Sequence, residues 1–356
     1  MIDLRDCHDN IQEVGGLWES RLRKFLFEER ENKLKIIGKG RKVIATFSTY
    51  YAKMKGVVKY CDLDVKSKRV LLNELRRYRR NLRRIVLGDE EVLNKYSKHD
   101  ERSKHKTNEK VWDLKKSLME NLYRDFTQYK CFDPNGNINN AHYFFRELNI
   151  RTCPYCNRHY TFTLDDKTAK VSPEYDHFYD KASYPLLAVS FYNLVPSCHT
   201  CNHAKRNNPV KVNPYFSGFK RKFELQNEEG ERMPINEIIN QKKGGRIGFG
   251  KLGESPDEKK REKNEQCNID TFGLKGLYEM HDDYINEIVE KTIAYSPSVK
   301  QALVDAFQDQ AYSPQQVDDF VWGKYLNVVQ YEKRPLSKLT RDILEQLGIL
   351  PNSDFQ

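Results

Sequence analysis

The sequence predicts an α+β protein: a mainly helical chain around a short β-rich central module. Three observations predict it. Apolar residues recur at three- and four-residue steps through long stretches at both ends of the chain. From Arg151 the texture changes to short β-rich runs and turn residues, and four of the eight cysteines fall there in two Cys-x-x-Cys pairs. At 356 residues the chain has room for two or three domains of about 100–200 residues each.

Residues 1–130 read as a basic helical domain. Leu71, Leu75, Tyr78, Leu82 and Val86 form one stripe of a helix, and Trp112, Leu114, Leu118 and Leu122 a second. The turn cluster Asp133-Pro134-Asn135-Gly136-Asn137 ends the pattern and marks a boundary. A module follows over residues 146–216, with a β-like run from His159 to Leu164. Residues 217–268 read as a charged β/loop insertion, with strands at Phe219–Leu225 and Gly245–Gly250 and a Lys/Glu-rich loop at Glu258–Glu265. Residues 269–356 are helical again. Ser313-Pro314 is a helix start, and the segment from about Leu336 to Leu347 stops at Gly348 with Pro351 beyond.

The charge is unevenly placed. The chain carries 61 Lys+Arg against 51 Asp+Glu, a net +10. Residues 1–110 hold 28 basic and 17 acidic residues, so the whole excess is N-terminal. On the remaining faces of the first helical stripe stand Arg76, Arg77, Arg79, Arg80, Arg83 and Arg84. A guanidinium row of this kind offers paired donors to phosphate oxygens and releases counterions on binding, which points to nucleic acid; a solvated helix face is the plainer alternative. No run approaches the roughly 18 apolar residues of a membrane span, and the start Met1-Ile2-Asp3-Leu4-Arg5-Asp6 lacks the features of a signal peptide. A cytoplasmic protein is expected.

Cys153-Pro154-Tyr155-Cys156 and Cys198-His199-Thr200-Cys201 are two metal knuckles. Each tight turn aims two thiolates at one ion, and two turns complete a closed tetrahedral site for structural Zn2+. A redox dithiol would not explain the second pair. Cys7, Cys61, Cys131 and Cys267 lack ligand spacing and are expected to be ordinary, partly buried residues.

Between the knuckles lie Asp176-His177-Phe178 and Asn193-Leu194-Val195-Pro196, and Asn202 follows the second knuckle directly. This order resembles the HNH endonuclease family, whose ββα-metal fold wraps a hairpin and a helix around one divalent ion. Here Asn202 stands where many members have the final His. The resemblance implies His177 as general base, Asp176 and Asn202 as ligands of a catalytic Mg2+ (Mn2+ being the alternative ion), and Asn193 as the residue that holds the hairpin loop and orients His177. Imidazole with an ordinary pKa near 6.5 suits proton abstraction at cellular pH, and carboxylate and amide oxygens suit Mg2+. Successive strand residues point to opposite faces, so Asp176 and His177 serve one site only at a strand end or bend. His199 and His203 are alternatives to Asn202, and Glu174 to Asp176. Each residue also has a plainer role: an exposed polar pair for Asp176 and His177, a turn for Asn193, a helix cap for Asn202.

The wording Cys153-Pro-Tyr-Cys-Asn-Arg, Tyr184-Pro185-Leu186-Leu187-Ala188 and Asn213-Pro214-Tyr215 is similar to a narrower group, the HNH proteins of bacterial anti-phage defence loci, including the nuclease subunit of Septu-type systems that works with an ABC-like ATPase. The chain has no Gly-x-x-x-x-Gly-Lys-Ser/Thr segment, so a partner would have to supply the ATPase. DNA is the expected substrate. The alternatives are a catalytically silent zinc-containing nucleic-acid-binding module and a partner-docking subunit.

Overall fold

The computed structural model describes residues 1–38, 41–129, 131–132, 138–139, 141–165, 170–241, 244–307 and 312–351. The expected turn at 133–137 lies outside the described residues. The fold mixes helices with small two-stranded antiparallel sheets, in keeping with the α+β expectation. It divides into two compact units. One comprises Asn10–Asn149 and Thr163–Val195; the other comprises Met1–Asp9, Ile150–Phe162 and Pro196–Gln356.

In the first unit, helices Ile11–Phe27, Val65–Arg80, Glu90–Lys106 and Glu109–Thr127 bury the stripes that their periodicity marks. Leu71, Leu75, Tyr78, Leu82 and Val86 are all buried. The stripe does not run along one helix, however. Asn81 leaves helical geometry at φ −105° and ψ 14°, ends Val65–Arg80, and precedes the short helix Leu82–Leu87. Its side chain donates to the Arg77 carbonyl, the local competition with helix backbone that Asn favours.

The helical expectation for residues 1–130 also missed an antiparallel pair, Asn32–Gly38 with Arg41–Phe47. Ile36, Ile37, Val43, Ile44 and Thr46 supply the β-branched content. Phe47 packs where any side chain on Gly56 would have to sit: a Cβ there would lie 2.3 Å from the Phe47 ring. That approach holds the pair against helix Tyr50–Tyr60.

Trp18, 1% exposed, organises the core of this unit. Its ring meets Phe126 and Phe144 edge-on at 4.9 and 4.8 Å and Tyr175 at 5.8 Å, and its indole N–H donates to the Val189 carbonyl.

In the second unit, strands Phe223–Gln226 and Arg246–Phe249 pair antiparallel, the second inside its expected run and the first overlapping its run and passing it by Gln226. Helix Ser337–Gln346 lies along the free side of Phe223–Gln226. Asp342 accepts from the Phe223 N–H, and Gln346 both accepts from the Leu225 N–H and donates to its carbonyl. Side chains thus stand in for a missing strand at that edge.

The Glu258–Glu265 run is a correction: it is not loop but part of helix Pro256–Phe272. Ser255 and Glu258 form a capping box and Pro256 occupies the first turn. The charged residues are partly interior. Buried Glu265 accepts from the N–H groups of Lys220 and Arg221 and from Arg261, and buried Asn268 accepts from those of Lys211 and Val212. The charge density that reads as loop belongs to a helix whose polar groups satisfy a neighbouring extended segment. Helices Pro314–Trp322 and Ser337–Gln346 begin and end as the sequence signals indicate, with Gly348 at φ +72°.

Candidate metal centre and the His177 loop

The two knuckles meet. The sulfurs of Cys153, Cys156, Cys198 and Cys201 all lie within 4.8 Å of one another, and all four residues are buried free thiols. Cys156 and Cys198 Sγ are 4.0 Å apart. Four Zn–S bonds of about 2.3 Å in a tetrahedron place sulfurs about 3.8 Å apart, so the donor set fits a zinc ion by number, type and spacing.

Backbone geometry shapes each knuckle. Asn157 adopts φ +46° directly after Cys156, its N–H donating to the Cys153 carbonyl at 2.7 Å and closing the turn. The N–H of Arg158 points at Cys156 Sγ and that of Cys201 at Cys198 Sγ, both at 3.4 Å. Cys198 is also the N-cap of helix His199–Lys205. Hydrogen bonding from Cys153 holds the Cys156 thiol well below its ordinary value and brings Cys198 down to about 7, whereas burial holds Cys153, and hydrogen bonding within the cluster holds Cys201, well above it. His159 Nδ1 lies 4.0 Å from Cys156 Sγ, and this contact raises the imidazole to about 9.

Sequence reasoning missed what ties this centre to its unit. Asn157 donates to Thr152 Oγ1 and to the Tyr331 and Arg334 carbonyls, while its own oxygens accept from the N–H groups of Leu336 and Lys338. Tyr278 donates its hydroxyl to the Cys156 carbonyl, and Tyr155 stacks on Phe272 at 4.5 Å. An Asn placed directly after a knuckle was the available signal, since Asn tolerates the left-handed region.

The second group of candidate residues occupies the other unit. Strand Glu174–His177 ends at His177, and the chain returns through the short helical turns Pro185–Leu187 and Phe191–Asn193 into strand Leu194–Ser197, its sheet partner. Asp176 is 2% and His177 9% exposed. His177 Nε2 is 3.0 Å from the Ala188 carbonyl, and Tyr123 meets its ring edge-on at 4.6 Å. A carbonyl only accepts, so in the neutral ring Nε2 carries the proton and Nδ1 is the basic nitrogen.

Asn193 is fully buried and joins the two sides of the loop. Its Oδ1 accepts from the Tyr179 N–H at 2.7 Å, and its Nδ2 donates to the Tyr179 and Leu187 carbonyls at 3.0 Å. Burial, and then the charge of Asp176, push the Tyr123 phenol up to about 12.

Asp176, His177 and Asn193 are thus gathered at one strand end in one unit. Asn202 belongs to the other unit, half-buried on helix His199–Lys205, with His199 and His203 exposed on the same helix and their rings stacked at 5.7 Å. Glu174 is half-buried, two residues before Asp176 on the same strand.

Arg76, Arg77, Arg79, Arg80, Arg83 and Arg84 are all exposed. Among the described residues, no helix is long and apolar enough to cross a membrane.

A buried four-cysteine zinc-type centre is therefore the class of site that this chain defines. Over 71 residues the chain is 34% identical to the Septu protein PtuB of Bacillus thuringiensis, a match covering 20% of this chain and 25% of that protein. The chain thus spans a quarter of the length of the curated relative it matches. No family model matches the chain, and no solved structure does.

Proposed function

We propose that this chain is a Mg2+-dependent HNH endonuclease that hydrolyses DNA phosphodiester bonds in bacterial anti-phage defence, with Zn2+ bracing the module. The observation that carries the reading is His177: it ends a strand and donates from Nε2 to a carbonyl, so Nδ1 is the basic nitrogen. The partial likeness to a Septu protein supports the defence context.

In this reading His177 Nδ1 takes the proton of the attacking water, and Asn193 fixes the loop whose Ala188 carbonyl orients the ring. Asp176 and Asn202 would hold the Mg2+. That ion, when bound, supplies countercharge for the phosphate oxygens and the leaving 3′ oxygen. Cys153, Cys156, Cys198 and Cys201 hold Zn2+, so that the helix carrying Asn202 starts from a fixed turn. The six arginines contact the phosphate backbone, and an ABC-like ATPase is the proposed partner. Products would carry 5′-phosphate and 3′-hydroxyl ends.

Supercoiled plasmid with Mg2+ tests this: the parent should nick it and His177→Ala should not. Equal nicking by both overturns the role of His177. The deep burial of Asp176 favours a second reading, a catalytically silent nucleic-acid-binding module. It requires salt-sensitive DNA retention with no cleavage under any divalent ion.

A further inference from the structure

The arginine row does not present one uniform face. The break at Asn81 divides it, and Arg79, Arg80, Arg83 and Arg84 line a hollow of about 590 Å3 together with Arg23 of helix Ile11–Phe27, while Arg76 and Arg77 remain outside. Asp89 is the single acid in the lining, so five cations face one anion.

Among the described residues, no ion pair reaches Arg79, Arg80, Arg83 or Arg84. Only Arg23 is paired, with Glu19 at 2.6 Å, and Asp89 is engaged in capping the next helix. Gathering unpaired guanidinium groups in one depression costs mutual repulsion that a dispersed arrangement avoids. The helix dipole does not account for it: cations in the last turn of Val65–Arg80 are favoured, but Arg83 stands in the first turn of Leu82–Leu87, where a cation is disfavoured. The Arg79 guanidinium lies 5.2 Å from the Phe27 ring and 5.4 Å from that of Tyr51, two rings outside the lining of the hollow. No aromatic ring lines the hollow to stack a base.

We propose that this hollow is a discrete binding site for two or more adjacent phosphates, read through guanidinium forks and not through bases. Its ligand is either a run of nucleic-acid backbone phosphates or a free oligophosphate; only the first source rests on the nuclease reading above.

Calorimetric titration of the full chain with sodium tripolyphosphate, without added Mg2+, tests the site. Arg83→Ala with Arg84→Ala should weaken binding about tenfold or more. Lys66→Ala with Arg69→Ala, the same loss of charge at the far end of helix Val65–Arg80, should change it less than about twofold. Equal weakening by both pairs, or no measurable binding by the parent, overturns the proposal. Circular dichroism checks folding; if the alanine pair unfolds, Arg83→Gln with Arg84→Gln gives the same comparison.

A second titration, on protein saturated with a DNA duplex, assigns the source. Loss of the tripolyphosphate signal identifies backbone phosphates as the occupant, and an unchanged signal identifies a free oligophosphate. Because no cleavage is read, a chain that binds tripolyphosphate but never nicks plasmid refutes the nuclease reading alone.

Discussion

The imidazole Nε2 of His177 lies 3.0 Å from the carbonyl oxygen of Ala188, on a loop whose other fixed point is Asn193. The Asn193 amide accepts one hydrogen bond from Tyr179 and donates two, to Tyr179 and to Leu187, the residue before Ala188. Asn193→Ala should leave the Tyr179 N–H and the Tyr179 and Leu187 carbonyls without this partner, at a cost of at least about 1–3 kcal/mol in urea unfolding. If His177 is the general base, plasmid nicking by the folded variant should fall mainly in kcat, because ring placement is lost and substrate contacts are not. A fall confined to KM would argue against this coupling.

The same loop rests on a buried ion cluster. Asp100 accepts from the Leu186 N–H at 3.0 Å and pairs with Lys115 at 2.8 Å, and Lys115 also reaches Glu74 at 3.2 Å. Lys115→Met should remove the only cation in contact with Asp100 among the described residues and destabilise the unit by about 3–5 kcal/mol. A double variant, Lys115→Met with Asp100→Asn, should recover part of that loss; no recovery would show that the charge on Asp100 is not the cause.

Glu74 gives the cluster a pH signature. Burial alone would raise its carboxyl, but the hydrogen bond from His99 and the charge of Lys115 hold it down at about 2. The folded value lies below the usual 4.5, so its contribution is fully present above that value and is lost as pH falls toward about 2. The thermal midpoint of the parent should exceed that of Glu74→Gln at pH 6, and the gap should narrow between about pH 4.5 and pH 2. A constant gap would mean that the charge of Glu74 contributes nothing. The comparison must be made between the two proteins at each pH, because protonation of the cysteine centre affects both alike.

The four-thiol centre predicts about one zinc per purified chain. Cys198→Ser should lower metal content and thermal stability together: serine still caps helix His199–Lys205, so the loss reports the missing sulfur of the metal centre. Full stability after complete zinc removal, checked by metal analysis and a melting curve, would show that the centre is no brace.

Those features most readable in the sequence were those with a local cause. Paired spacing announced the cysteine cluster, and Ser313-Pro314 and Gly348 announced helix ends that the structure repeats. Ser255-Pro256 and Glu258 carry the same kind of signal, but the surrounding charge reads as loop, and the backbone partners of Glu265 and Asn268 lie about 45 and 57 residues away in sequence. The break at Asn81 was hidden because the apolar stripe continues through it: Leu82 and Val86 stay buried on the far side. Likewise no spacing rule could show that Trp18 would meet Tyr175 and Val189, since that contact depends on tertiary packing.

Asn157 separates backbone from side-chain effects in one position. Its φ of +46° favours Gly, Asn or Asp, whereas its amide makes three donor contacts and accepts from Lys338. Asn157→Gly keeps the backbone accessible and deletes the amide; Asn157→Ala deletes the amide and adds strain at positive φ. Both variants should unfold at lower urea, Gly by about 1–3 kcal/mol and Ala by roughly 1 kcal/mol more. Zinc release to a chromogenic chelator should accelerate in the same order, because the turn that aims Cys153 and Cys156 is held from the segment Tyr331–Lys338 through this amide. If Gly matches the parent in both measurements, the hydrogen bonds are incidental and the positive φ alone accounts for an asparagine at this position.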